Sequence, residues 1–246
     1  MIAENYCFLY SFWIRFKQHT ALQKHPEWEN RTGRKHDLTN KTKVSLAVLT
    51  LVFVLIAIFT VSGQLSAFNR VIANAVYTLE TPSLTLILKT ISNISEWYVY
   101  VPITILLAAI PKLRWKFGIP VLVTLAVSAP LNELLKLCFA IPRPDEHRLI
   151  AVAGLSFPSG HAMNGAAFIG ICTLLLLRYS AKQPLRIAAS ILAVLFVLSV
   201  GFSRVYLGVH NATDVIAGYA TGLILCLRTI IVIDRLSHRY GRKSSV

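Results

Sequence analysis

Phe157-Pro158-Ser159-Gly160-His161 runs straight into residues 162–177, an apolar stretch without a charge. A Pro-Ser-Gly turn that opens a helix leaves the first backbone N–H groups without partners, at the positive end of the helix dipole. Such an end binds anions before any side chain contributes. His161 adds a group that exchanges a proton near neutral pH. The apolar run behind it sets the fold class: a polar loop feeds a helix that belongs in a membrane.

The rest of the chain agrees. Hydrophobic residues make up 55% of the sequence, and the mean hydropathy is +0.59. Both are too high for an ordinary soluble domain. A net charge of +14 would suggest nucleic acid in a soluble protein. Here the basic residues fall in short segments between apolar runs, the pattern of a multi-span membrane protein, so no nucleic-acid partner is expected. The four cysteines, Cys7, Cys138, Cys172 and Cys226, form no CxxC pair. They read as small apolar side chains, not as a disulfide framework or a zinc site. No internal repeat is visible.

The expected architecture is an all-α integral membrane protein, a bundle of six transmembrane helices. The spans are predicted at 44–62, 97–110, 117–139, 162–177, 187–202 and 212–233, near the roughly 20 residues needed to cross a bilayer or somewhat shorter. The first begins too far into the chain for a cleaved signal peptide and reads as a retained span. Residues 1–43 form a basic tail. Within it, residues 2–16 are rich in aromatics and suit an interfacial helix, or a tail without a specific role. Residues 17–43 read as a loosely ordered linker. Residues 44–233 form the membrane domain that holds all six spans, and 234–246 a second basic tail. The mixed stretch 63–89 reads as one or two amphipathic helices on the membrane surface, with 84–88 as the start of a re-entrant segment. Residues 111–116 read as a basic loop. Ile141-Pro142-Arg143-Pro144 must stop a helix, because proline lacks a donor and disfavours helix before it. Residues 145–157 are then a loop.

Six spans put both termini on one side. That side carries eighteen lysines and arginines, against six on the other. By the positive-inside rule the termini are cytoplasmic, and the His161 loop faces the extracytoplasmic side of the cell membrane.

Three clusters share that predicted face. Lys136 and Arg143 flank the end of the third span. Ser159, Gly160 and His161 open the fourth. Arg204, His210 and Asp214 lie between the fifth and the sixth. Each has a plainer reading alone. Lys136 and Arg143 can snorkel to the interface, His161 can be a satisfied interfacial histidine, and His210 and Asp214, four apart, can share a helix face as a local polar pair. An ionisable group one turn into a span nevertheless points to function.

Together the residues describe an anion pocket: three permanent cations, two histidines, one carboxylate and a helix N-terminus. The cations would repel a divalent metal, so neither a metal nor another cofactor is expected. Arginine suits bidentate contact with phosphate oxygens. Metal-free cleavage of a phosphoester needs one neutral histidine to attack phosphorus and one protonated histidine to serve the leaving oxygen. A carboxylate beside the attacking ring holds its tautomer. Asp214 is near His210 in sequence, and no carboxylate lies within a turn of His161. His210 is therefore read as the nucleophile and His161 as the general acid. Lys136, Arg143, Arg204, Ser159 and the Gly160 N–H would hold the phosphoryl oxygens.

The clusters resemble the three motifs of the type 2 phosphatidic acid phosphatase family. They read Lys136-x6-Arg143-Pro144, Pro158-Ser159-Gly160-His161 and Ser203-Arg204-x5-His210-x3-Asp214. Vanadium haloperoxidases share that site. The resemblance covers roughly residues 44–233 and all three motifs are complete and in order. It implies a six-helix bundle, a phosphohistidine at His210 hydrolysed by water, and no metal. It also implies a lipid substrate such as phosphatidic acid, phosphatidylglycerol phosphate or undecaprenyl pyrophosphate. Two other readings stay open: phosphotransfer to a second lipid through the same intermediate, and a non-catalytic, transporter-like relative.

Overall fold

A computed structural model describes residues 32–241, with side chains over 40–236. Every regular element in that range is a helix. The first, α1 (Thr32–Val61), starts well before the apolar run. Part of the expected linker is therefore helix, continuous with the span; the predicted interfacial helix at residues 2–16 lies outside the described residues. Two short helices follow, α2 (Ser66–Tyr77) and α3 (Pro82–Ile94). Pro82 begins α3, where its missing donor costs nothing. Thr81 caps that helix by accepting from the Leu84 N–H at 3.2 Å. Residues 84–88 belong to this continuous helix, not to a re-entrant segment.

After only Ser95 and Glu96 the chain enters α4 (Trp97–Ala109). Then come α5 (Pro111–Phe139), α6 (Gly160–Tyr179), α7 (Gln183–Tyr206) and α8 (Ala212–Gly241). Among the described residues, five helices are long and apolar enough to cross a membrane: Asn40–Val61, Pro111–Phe139, Gly160–Tyr179, Gln183–Tyr206 and Ala212–Leu236. The remaining expected span, 97–110, corresponds to α4, which has 13 residues. At about 1.5 Å per residue it covers about 20 Å, short of the roughly 30 Å hydrocarbon core. The expected six full spans are thus five candidates and one short apolar helix.

The basic loop expected at 111–116 is also helical. It forms the first turns of α5, including a π-helical turn over Arg114–Gly118. The reason is local. Arg114 Nε donates to the Ala108 carbonyl at 2.8 Å, satisfying an acceptor that the end of α4 leaves open. Gly118 permits the tight hairpin, since a Cβ there would sit 2.4 Å from Ala108 Cα.

Lipid tails are as apolar as leucine, so helices in a membrane associate through close packing more than through hydrophobic burial. The α6–α8 seam shows how. Gly218 and Gly222, four apart on α8, lie against Ala162 and Ala166, four apart on α6. A Cβ on Gly222 would meet the Met163 carbonyl oxygen at 2.4 Å, and one on Gly218 the Ser159 carbonyl oxygen at 2.7 Å. Further along, Gly170 faces the Cys226 thiol. Large side chains point outward instead: Ile191, Leu192, Val194, Leu195 and Leu198 of α7 are exposed, as a lipid-facing surface requires. Cys226 is buried as expected, but Cys138 is exposed on α5.

One end of the bundle gathers the end of α5, the end of α7 and the starts of α4, α6 and α8. The two short helices cover this end. Leu88 of α3 packs with Tyr206, Leu207 and Val209. Asn69 of α2 holds Thr213 twice, donating to its Oγ1 at 2.9 Å and accepting from its N–H at 3.2 Å.

Candidate active site

The N-terminus of α6 is set by its neighbours. Gly160 leaves room for its neighbours: a Cβ would lie 2.9 Å from Asn132 Oδ1, which would have to shift, and in ordinary contact with Lys136 Nζ at 3.9 Å. Asn132 is buried on α5 and donates to the Pro158 carbonyl at 3.2 Å. This closeness brings Lys136 to the helix start. Lys136 itself pairs with Glu133 at 2.8 Å. Ser159 occupies the N-cap position but caps nothing. Its N–H is already given to the Asp214 carbonyl at 3.0 Å. Its hydroxyl is buried and has no partner among the described residues. The Ser159 contribution to an anion cradle therefore falls to the hydroxyl, not to its amide.

His210 sits in the α7–α8 link, two residues before α8. Its closeness to Asp214 does not come from a shared helix face, as the spacing led us to expect. Asp214 is the third residue of α8, and its Oδ2 accepts from the Asn211 N–H at 2.8 Å, as a capping-box acid does. The same oxygen accepts from Ser156 Oγ at 2.6 Å and lies 3.5 Å from His210 Nδ1. Ser156 Oγ lies 3.2 Å from that Nδ1. With the Ser156 proton given to Asp214, the hydroxyl oxygen accepts from Nδ1–H, so the lone pair is on Nε2. Arg143 Nη1 reaches that Nε2 at 2.9 Å. The guanidinium is anchored by the Val209 carbonyl at 3.0 Å and the Gly154 carbonyl at 3.1 Å. Burial drives the His210 pKa down to about 4, with Asp214 pulling upward and Arg143 and Arg204 pushing further down. The ring is neutral at pH 7, as a nucleophile must be.

Gly208 makes the link possible. Its φ is +70°, and a Cβ would overlap the His147 carbonyl. The loop after α5 can then lie on the link, with the Leu149 N–H donating to the Leu207 carbonyl at 3.1 Å, and Arg143 arrives beside His210.

His161 stands on the first turn of α6. Its Nε2 lies 3.0 Å from Glu96 Oε1, close in distance but outside the alignment of a hydrogen bond. The expectation that only His210 has a carboxylate fails in space: Glu96 arrives from the start of α4. The two acids still differ. Asp214 is fully buried and shares one oxygen among three groups, whereas Glu96 is partly exposed. Arg204 is buried, with Nη1 on Ser92 Oγ and Nε without a partner among the described residues. Arg143 and Arg204 both lie within electrostatic reach of the two histidines.

The structure thus gathers every predicted site residue at one end of the bundle. Arg143, His210 and Asp214 make direct contacts, and Lys136 lies beside Gly160. The hydroxyl of Ser159 and the Nε of Arg204 remain unengaged donors. Sequence reasoning missed Glu96, Ser156, Asn132 and Ser92. Glu96 had a signal, as the lone acid between Glu80 and Glu133, at the mouth of an apolar helix. Ser156, Asn132 and Ser92 had none.

A family model described as the PAP2 superfamily matches residues 117–237, a range that holds the three clusters. Phosphatidylglycerophosphatase B of Bacillus subtilis is 30% identical over 185 residues, 72% of this chain and 89% of that protein. An undecaprenyl-diphosphatase of Sulfolobus acidocaldarius is 30% identical over 184 residues, 71% of this chain and 84% of that one. The crystal structure of a transmembrane PAP2-type phosphatidylglycerolphosphate phosphatase from Bacillus subtilis superposes with a TM-score of 0.71 at 26% identity. It covers 78% of this chain and 97% of that chain. The chain belongs to the PAP2 superfamily, in its membrane lipid phosphatase branch. It is a phosphatase of the PAP2 type.

Proposed function

We propose that the protein removes a phosphate from a lipid phosphate or pyrophosphate through a phosphohistidine on His210, without a metal ion. The observation that carries this reading is the environment of His210. Ser156 and Asp214 hold Nδ1, and the Nε2 lone pair points at a guanidinium suited to a phosphate. An entering phosphate takes the Arg143 N–H from Nε2 and brings phosphorus to the lone pair. Nε2 attacks, the bond to the leaving oxygen breaks, and His161 protonates that oxygen. Asp214 and Ser156 hold the imidazole proton as the ring gains charge. Water then attacks phosphorus, gives its proton to His161, and frees His210.

Lys136, Arg143 and Arg204 offset the charge on the phosphoryl oxygens, with the Ser159 hydroxyl and the Gly160 N–H as further donors. The same three cations disfavour a divalent ion. Among the described residues no group of three or more His, Cys, Asp or Glu side chains is arranged to hold one.

Residues 44–233 form the catalytic unit in this reading. The short helix α4 acts as the sixth traverse of the bundle, and the charge bias puts both tails in the cytoplasm and the site outside. The substrate belongs to the class of phosphatidylglycerol phosphate, phosphatidic acid or undecaprenyl pyrophosphate. The names of the Bacillus and Sulfolobus relatives support that class. Phosphate release from these three lipids and from a water-soluble phosphoester, each with and without EDTA, tests it. No release from any lipid, or full loss in EDTA, would refute the reading. Phosphate recovered on a second lipid would reassign the intermediate to phosphotransfer.

A further inference from the structure

Glu96 belongs to none of the three motifs, yet its carboxylate is aimed at the acid of the reaction. Its backbone is fixed by α4, whose Val99 and Tyr100 N–H groups bond to the Glu96 carbonyl at 3.0 and 3.2 Å. Its side chain caps nothing on that helix. Instead Oε1 lies 3.0 Å from Nε2 of His161 on α6. The charges facing His161 explain what this contact does. Arg143 and Arg204 both act on the ring, and Lys136 Nζ sits beside Gly160, the preceding residue. A protonated His161 adds a positive charge to three others. Asp214 belongs to His210, and Glu133 is paired with Lys136.

We propose that Glu96 is a positioning residue that keeps His161 protonated and oriented as the general acid, its carboxylate offsetting the surrounding cations. This inference rests on the proposed acid role of His161. Glu96 is ionised in this setting: the His161 ring beside it holds its carboxyl below the usual carboxylate range, against the opposite pull of burial. With Nε2 turned to Glu96 at 3.0 Å, the proton for the leaving oxygen comes from Nδ1. In the first step the bond from phosphorus to the leaving oxygen breaks as the bond from His210 Nε2 forms. The electron pair goes to the leaving oxygen and the His161 proton neutralises it. In the second step neutral His161 accepts a proton from the attacking water, and the pair of the breaking N–P bond returns to His210. His161 is then protonated beside Glu96 again.

The test compares leaving groups on the full chain in detergent. A lipid alkoxide needs its proton, whereas p-nitrophenolate is a weak base and departs with little help. For Glu96→Gln, kcat/KM on a short-chain phosphatidic acid, which reports the steps up to departure of the leaving group, is expected to fall on the order of 100-fold, the low end for general-acid help. On p-nitrophenyl phosphate the loss is expected to be at least tenfold smaller. Glu96→Asp should recover part of the lipid activity. Equal losses on both substrates, or no loss on either, would overturn the proposal. His161→Ala, measured in parallel, separates the inference from its premise. If His161→Ala discriminates between leaving groups and Glu96→Gln does not, Glu96 is only a neighbour. If His161→Ala loses both activities equally, the acid role of His161 falls, and this inference falls with it.

Discussion

Arg143 Nη1 lies 2.9 Å from His210 Nε2, so the lone pair assigned to the attack on phosphorus in the proposed mechanism is the acceptor of an arginine N–H. Backbone carbonyls of Gly154 and Val209 hold the guanidinium in place. Its planar fork therefore waits at the position where a phosphoryl oxygen has to arrive beside the nucleophile. A lysine carries the charge but not the fork. Arg143→Lys is expected to lower kcat/KM on the order of 100-fold, in line with the loss of one transition-state donor. Steady-state phosphate release measures it; a change below threefold would show that charge alone suffices.

The neutrality of His210 sets an acid limb. Its pKa is pushed to about 4, burial being the largest cause. Below that value Nε2 carries a proton and has no lone pair, so kcat/KM falls as pH drops through this region and is level with respect to this group above it. Asp214 pulls the pKa upward. Asp214→Asn should therefore move the limb to lower pH, and the loss of orientation should lower the plateau. A limb moving to higher pH would contradict the assignment.

Ser156 bridges Asp214 and the His210 ring at 2.6 and 3.2 Å. Ser156→Ala removes the acceptor for Nδ1–H and leaves a buried carboxylate with one donor fewer, a cost of about 1–3 kcal/mol. The expected result is a fall in kcat of roughly ten- to a hundredfold with little change in KM, since Ser156 faces the ring and not the substrate. A change confined to KM would place Ser156 in binding instead.

The phosphohistidine predicts a covalent trap. Rapid quenching with radiolabelled lipid phosphate should leave acid-labile label on the wild-type chain and none on His210→Ala. Label retained by His210→Ala would put the nucleophile elsewhere. Orthovanadate should inhibit the wild-type enzyme as a five-coordinate mimic of phosphorus.

The α6–α8 seam makes a prediction about stability. On Gly222 a Cβ meets the Met163 carbonyl oxygen at 2.4 Å, and the backbone of α6 has no room to yield. Gly222→Val should spread the helices that carry His161 and Asp214. Both the thermal half-life in detergent and phosphate release should drop. A variant with unchanged half-life would show that the seam relaxes without strain.

Much of this protein is legible from the sequence because membranes and motifs act locally. Uncharged runs must be helical where no water can satisfy the backbone; this predicts six spans, of which five are helices long and apolar enough to cross a membrane among the described residues. The prolines after Phe139 end a helix wherever it lies. The ordered clusters around Lys136, His161 and His210 point to an anion site by residue type alone. Helix lengths were less legible: Arg114 turns an expected loop into helix by satisfying the end of α4, a contact that no local pattern encodes.

The distant partners of the two histidines are set by tertiary packing and by nothing local. Glu96 and His161 are 65 residues apart, and Ser156 and His210 are 54 apart. Nothing in the spacing of either pair announces a contact. Glu96 meets His161 because α4 packs on α6, with Tyr100 stacked on Phe168 at 4.3 Å, and Ser156 meets His210 because Gly208 lets the loop after α5 lie on the α7–α8 link. Even the His210–Asp214 pair, correctly read as neighbours, is joined by a helix cap and not by a helix face. Residue chemistry is a property of the chain, but the direction of a side chain and the charge beside it depend on how distant backbones pack.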